Sequence, residues 1–290
     1  MDLSRALTTV LEGLVREPWR SDYRFQVQLL DPMTLPEFRK GIESGATGKR
    51  VHFVYCKCLA IPRIGSDPPL QGGALSIVSN SDAFMRASAE LGEALIVARE
   101  FADRQLPSVF GLAGGIFAAN AKKRALAECL EREAFFRHYF SKSPFERIEN
   151  QGLQKSVVSY ELRTRSDETR CALVVSEKIP SRKKEGCFVF GLGAGPDLET
   201  AENKAWLSFL TLQLQHALKP DWCQTLRAVN PLLVRQTPDD RHQYSKDPKV
   251  QELFRFFCEV SAPPEAGPRA PGMRSGPQKI RFRDHESPFR

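Results

Sequence analysis

Residues 111–136 read GLAGGIFAANAKKRALAECLEREAFF, and this stretch decides the fold. Glycines at 111, 114 and 115 precede a run with good helix formers, and the spacing predicts a helix over about 119–140. Ala121 and Ala125 lie at i and i+4, so they share one face and let a sheet or helix approach closely. Gly115 suits a tight turn from strand to helix. The same pattern occurs twice more. Counting back from Glu128, alanines stand three and seven residues earlier; from Glu90 they are Ala87 and Ala83, and from Ser208 they are Ala205 and Ala201. A glycine thirteen residues earlier appears in two of the three, at 115 and 195. The chain is therefore expected to repeat a strand-turn-helix unit.

A stripe of small residues fits any closely packed helix. The carboxylates beside it need a further reason. Glu90 and Glu93 are three residues apart, and so are Glu128 and Glu131. Each pair lies on one helix face at the same offset from its alanine stripe, beside the buried side. Like charges so placed need solvent or a counter-charge. Mg²⁺ takes oxygen ligands from a few carboxylates together with phosphates, so it is one candidate partner. Arg132 could hold a phosphate or pair with Glu128.

Outward from these units, helices are expected over 4–16, 35–44, 82–101 (with Ser81 or Asp82 as N-cap) and 198–218. Strands are expected over 23–30, 50–60, 108–115, 155–163, 170–178 and 186–193, with 61–73 (IPRIGSDPPLQGG) as a loop and a short helix near 247–258. Strands alternating with long helices give an α/β or α+β class, with mixed sheets packed by three long helices. We divide the chain into an N-terminal segment (1–70), a core (71–260) and a Pro/Gly/Arg-rich tail (261–290) expected to be disordered.

The 290 residues are 41% hydrophobic, enough for a sizeable core. No apolar run approaches the roughly 20 residues that span a bilayer. The first residues, MDLSRALTTVLEGLVREPW, read as an amphipathic helix rather than a secretion signal, so a cytoplasmic location is the default expectation. Seven scattered cysteines, with only Cys56 and Cys58 close, argue for small buried side chains instead of disulfides or zinc. The net charge of +7 sits largely in runs such as 182–184 and in the tail. No aromatics interleave with those runs, which makes a nucleic-acid adaptor the weakest reading.

Together these residues resemble the YcaO family. Residues 111–136 are similar to that family's second ATP-binding motif, with Glu128, Glu131 and Arg132 on matching positions and Glu133 where an aspartate is usual. AFMRASAELGEAL (83–95) is similar to the first motif, with Glu90 and Glu93 matching its acidic pair. FGLGAGPDLETAENKAWLSFL (190–210) resembles the third. The resemblance spans about 72–215 in the family's order. It implies a YcaO-like fold, ATP and Mg²⁺ as cofactors, Glu90, Glu93, Glu128 and Glu131 as metal ligands, and Arg132 and Lys204 near the phosphates. It also implies phosphorylation of a peptide backbone amide during azoline, thioamide or amidine formation. A peptide or protein substrate, a partner protein of a modification system and a homo-oligomer all belong to that expectation.

The chain departs from the pattern at several points. GGALSIVSNS (72–81) stands where the family has a Gly-Lys-Gly turn. Arg86 and Arg124 replace the small residue four before each acidic pair, Lys204 replaces an arginine, and Ser208 replaces a glutamate. The C-terminus ESPFR lacks the alternating prolines of the ring-forming members. These departures favour a second reading, a catalytically degenerate partner or peptide-binding subunit. GATGKR (45–50) and GLGAG (191–195) resemble nucleotide loops but lack the required glycine or Ser/Thr spacing. The five histidines are isolated, and no nucleophile–base constellation can be assembled.

Overall fold

The computed structural model describes residues 2–43, 52–67, 69–100, 118–141, 143, 145–148, 157–166, 168–176 and 190–218. Helix α1 (Leu3–Leu14) is capped by Asp2, whose carboxylate accepts the Ser4 amide at 3.1 Å. A single turn, α2 (Trp19–Asp22), leads into strand β1 (Tyr23–Leu30). Helix α3 (Pro36–Glu43) precedes β2 (Val54–Pro62) and β3 (Leu70–Ser76). These strands form an antiparallel sheet in the order β1-β2-β3. Helix α4 (Asn80–Glu100) follows, then α5 (Ala118–Ser141). A second antiparallel sheet contains β4 (Glu146–Ile148), β5 (Val157–Leu162), β6 (Arg170–Ser176) and β7 (Phe190–Gly195) in that order, and α6 (Leu198–Leu218) follows it.

The architecture is α+β, with α4, α5 and α6 packed on the two sheets. Side-chain alternation assigns the layers. On one face of the first sheet Phe25, Val27, Cys56, Cys58 and Ala74 meet Leu11 and Val15 of the α1 segment and Ala83, Ala87, Leu91 and Leu95 of α4. Its other face offers Tyr55 and Leu75 to α6 and to Val157, Ala172 and Val174 of the second sheet. The far face of that sheet, including Leu173, Val175 and Leu192, packs on Ala134 of α5. Helix α6 thus lies between the sheets, and buries Ala205, Trp206, Phe209, Leu210 and Leu212 around much of its circumference.

The expected repeat takes a specific physical form. A Cβ on Gly72 of β3 would lie 2.2 Å from the Ala87 carbonyl oxygen of α4. A Cβ on Gly191 of β7 would lie 2.2 Å from the Ala205 carbonyl oxygen of α6. Strand backbone and helix backbone touch directly in both units, which needs glycine on one side and alanine on the other. The helix starts match too. Ser79 accepts the Asp82 amide at 3.1 Å, and Asp197 accepts the Thr200 amide at 2.7 Å, both at the third helical residue. Each cap lies four residues before the first alanine of its stripe.

Ser79 caps α4, two residues ahead of the expected Ser81 and three ahead of Asp82. Strand β3 differs more: its glycines read as loop because they offer no side chain to the alternation, yet Gly72 admits the α4 backbone and Gly73 the Tyr55 ring. The expected strand over 108–115, helix over 247–258 and the tail at 261–290 lie outside the described residues. Cys56, Cys58 and Cys171 are free and buried, as expected for small core residues, and Cys129 is half-buried. The Cys56 side chain and burial raise the Cys58 thiol pKa, and burial with Glu131, Glu133 and Glu161 nearby pushes Cys171 up to about 12.

Three tests follow from this packing. Gly191→Ala should lower unfolding free energy by about 3 kcal/mol in urea titration, because helix backbone must move to admit the methyl. Gly13→Ala, at a helical site open to space, should raise it by about 0.5–1 kcal/mol. In the folded protein at pH 8, iodoacetamide should leave Cys56, Cys58 and Cys171 unmodified by peptide mass mapping; rapid labelling of any of them would contradict the core assignment.

Candidate functional site

In the two strand-turn-helix units the first turn of α4 meets the C-terminal end of β3, where Ser76 donates to Asp82, and that of α6 meets the end of β7, where Gly195 lies against Thr200 and Ala201; α5 packs against β5, β6 and β7. Along these three helices stand all six residues singled out by the sequence. On α4, the Glu90 carboxylate accepts the Gly73 amide of strand β3 at 3.1 Å. One turn on, Glu93 Oε1 lies 3.2 Å from Arg124 Nη2 of α5. That ion pair joins two helices whose residues are 31 apart in sequence.

On α5, Arg132 lies 3.8 Å from Glu128 and 3.9 Å from Glu131. Its side chain is only 11% exposed, so the two carboxylates supply the counter-charge that burial demands. The sequence left Arg132 open between a phosphate and Glu128; the fold places it beside both glutamates. Glu133, on the position where the family has aspartate, turns elsewhere and pairs with Arg137 at 2.6 Å and Arg165 at 3.0 Å.

On α6, the Lys204 ammonium donates to the Ala194 carbonyl of β7 at 2.8 Å. Burial pulls its pKa below the ordinary lysine value. Glu131 opposes that shift, whereas Arg86 and Arg124 add to it and Asp197 opposes it. The charges that act on this ammonium thus come from α4, α5 and the start of α6. Ser208 lies one turn further along α6, half-buried.

The pairs of glutamates do not gather into a metal cage as they stand. Among the described residues, no three His, Cys, Asp or Glu side chains come close enough together to hold a metal ion. Glu90 is tied to a backbone amide, Glu93 to a guanidinium, and Glu128 with Glu131 to another. Mg²⁺ is commonly held by one or two carboxylates with phosphate oxygens and water, so an ion here would have to take Glu93 from Arg124, or Glu128 and Glu131 from beside Arg132. Cationic groups suited to an anion are present in Arg86, Arg124, Arg132 and Lys204.

Sequence reading missed what Arg86 and Arg124 do. Arg86 donates to the Leu75 carbonyl of β3 at 3.1 Å and lies 4.0 Å from Asp82. Both arginines had registered only as departures from a small residue. The signal was their shared position one turn before a glutamate, where a positive charge is itself a counter-ion. The glycine-rich part of the second motif, 111–117, lies outside the described residues, as do Lys183 and the rest of the 182–184 run. No helix among the described residues is long and apolar enough to cross a membrane.

If the α4–α5 ion pair holds as described, a double-mutant cycle of Glu93→Gln and Arg124→Ala in urea unfolding should return a coupling of about 0.5 kcal/mol. That is the scale of a partly exposed pair, and zero coupling would contradict the bridge.

No family model matches the chain, and no curated protein matches it. Among solved structures, it is similar to the structure of YcaO from Methanopyrus kandleri bound with AMPPCP and Mg2+, at 15% sequence identity and a TM-score of 0.48, over 77% of this chain and 74% of that one.

Proposed function

We propose that this chain is a YcaO-like protein that binds the phosphates of ATP in the polar region between α4, α5 and α6, and serves as a non-catalytic partner in peptide or protein modification. The observation behind this reading is the ion pair between Glu93 of α4 and Arg124 of α5 at 3.2 Å, with Arg132 beside Glu128 and Glu131 further along α5 and the Lys204 ammonium of α6 close enough to feel Glu131, Arg86 and Arg124. Lys204 and Arg132 are the groups for phosphate oxygens. A guanidinium forks onto two oxygens, and an ammonium acts as a point charge.

The partner role rests on chemistry the site would need for turnover. Phosphoryl transfer relies on metal ions bridging phosphate oxygens and on carboxylates positioning them. Here the carboxylates are engaged by the chain's own donors, and Ser208 supplies none. A peptide-binding subunit needs only the scaffold and the nucleotide pocket. The alternative is ATP·Mg²⁺-dependent phosphorylation of a backbone amide by this chain itself. One observation favours it: Glu128, Glu131 and Arg132 remain on one face of a single helical turn, held together.

Isothermal titration of the purified chain with a non-hydrolysable ATP analogue tests the binding claim. Arg132→Ala and Lys204→Ala should each weaken binding about tenfold or more, the scale of one lost charge-assisted contact. Unchanged affinity in both variants would remove the site assignment. Phosphate release that requires Mg²⁺ and is lost in Glu131→Gln would favour the catalytic alternative over the partner role.

A further inference from the structure

Carboxylates on two facing helices repel unless a positive charge lies among them. In this chain such a charge is built in. Arg124 rises from α5 one turn before Glu128 and meets Glu93 of α4 at 3.2 Å. The pair is about half covered, with Arg124 44% and Glu93 26% exposed, so solvent ions can reach the neighbourhood but meet a carboxylate already engaged. Arg86 stands one turn before Glu90 in the same way and is fixed by the Leu75 carbonyl. A guanidinium is permanently charged and cannot be diluted or chelated away. A divalent ion brought to Glu93 would have to displace it or sit a few ångströms from it, against Coulomb repulsion.

We propose that Arg124 is a built-in counter-ion that takes the place of a divalent cation between α4 and α5, so that this cluster accepts an oligophosphate ligand without metal. The inference rests on reading the cluster as a phosphate site. It adds that affinity for the phosphate chain is independent of Mg²⁺, and that one substitution converts the cluster into a cation site. With Arg124 gone, Glu93 has lost the cation that meets it at 3.2 Å, on a helix that bears Glu128 one turn beyond that arginine.

Manganese binding to the full chain, followed by electron paramagnetic resonance of the free ion, reads this directly. Arg124→Ala should bind Mn²⁺ at least about tenfold more tightly than the unaltered chain, as expected for removing one opposing charge at short range. Arg124→Lys, which keeps the charge, should gain nothing. Adding Glu93→Gln to Arg124→Ala should abolish the gain. Should Arg124→Ala fail to fold, Arg124→Gln removes the charge with a longer stem and is read the same way. Equal Mn²⁺ affinity in the unaltered chain and the charge-removed variant overturns the proposal, whether both bind or neither does. Titration with a non-hydrolysable ATP analogue separates this inference from the reading beneath it. Equal affinity in Mg²⁺ and in EDTA supports the proposal, and binding only with Mg²⁺ overturns it. No nucleotide binding under either condition counts against the phosphate site, and with it against the oligophosphate part of the proposal, while the manganese comparison still decides the part about the counter-ion.

Discussion

Direct contact between strand backbone and helix backbone governs this structure. Gly72 on Ala87 and Leu91, and Gly191 and Gly193 on Ala201, Ala205 and Phe209, bring two helices so near their strands that no side chain fits between. The approach fixes helix rotation as well as distance, because only the alanine stripe can face the glycines. Everything polar follows from that rotation. Glu90 and Glu93 sit three and six residues past Ala87, and so emerge beside the contact instead of within it. Glu90 reaches back to the Gly73 amide from there. Lys204 lies next to Ala205 and reaches the Ala194 carbonyl by the same logic.

The site is therefore made by two copies of one unit with α5 beside them, and its charges are balanced within the protein. Glu93 with Arg124, and Glu128 and Glu131 with Arg132, set opposite charges beside one another and so offset part of the cost of burying them. Such pairs are worth little to stability when exposed, so their significance is in what they exclude. A carboxylate held by a guanidinium is a poor metal ligand.

Much of the fold was legible because its periodicities are strong. Strand β1 and helix α6 match the expected 23–30 and 198–218. The alanine register marks the repeat in the two units whose strands are described, β3 with α4 and β7 with α6. Strand β3 was not legible, since its glycines carry no side chain to alternate: Gly72 lies against the α4 backbone and Gly73 against the Tyr55 ring. Strand β4 is only three residues long, and pairs with β5 as an edge. In the site, helix spacing gave the pairs Glu90–Glu93 and Glu128–Glu131 but could not join them. The joining group, Arg124, was visible only as a replaced small residue, because its partner lies on another helix. Spacing within a helix is local information, and an ion pair between helices is tertiary.

Anomalous diffraction from crystals of the unaltered chain grown in manganese would test the central claim most directly. The account predicts density for the Arg124 guanidinium on the Glu93 carboxylate and no anomalous peak between α4 and α5. A manganese peak ligated by Glu93 and Glu128 or Glu131, with Arg124 swung away, would contradict it.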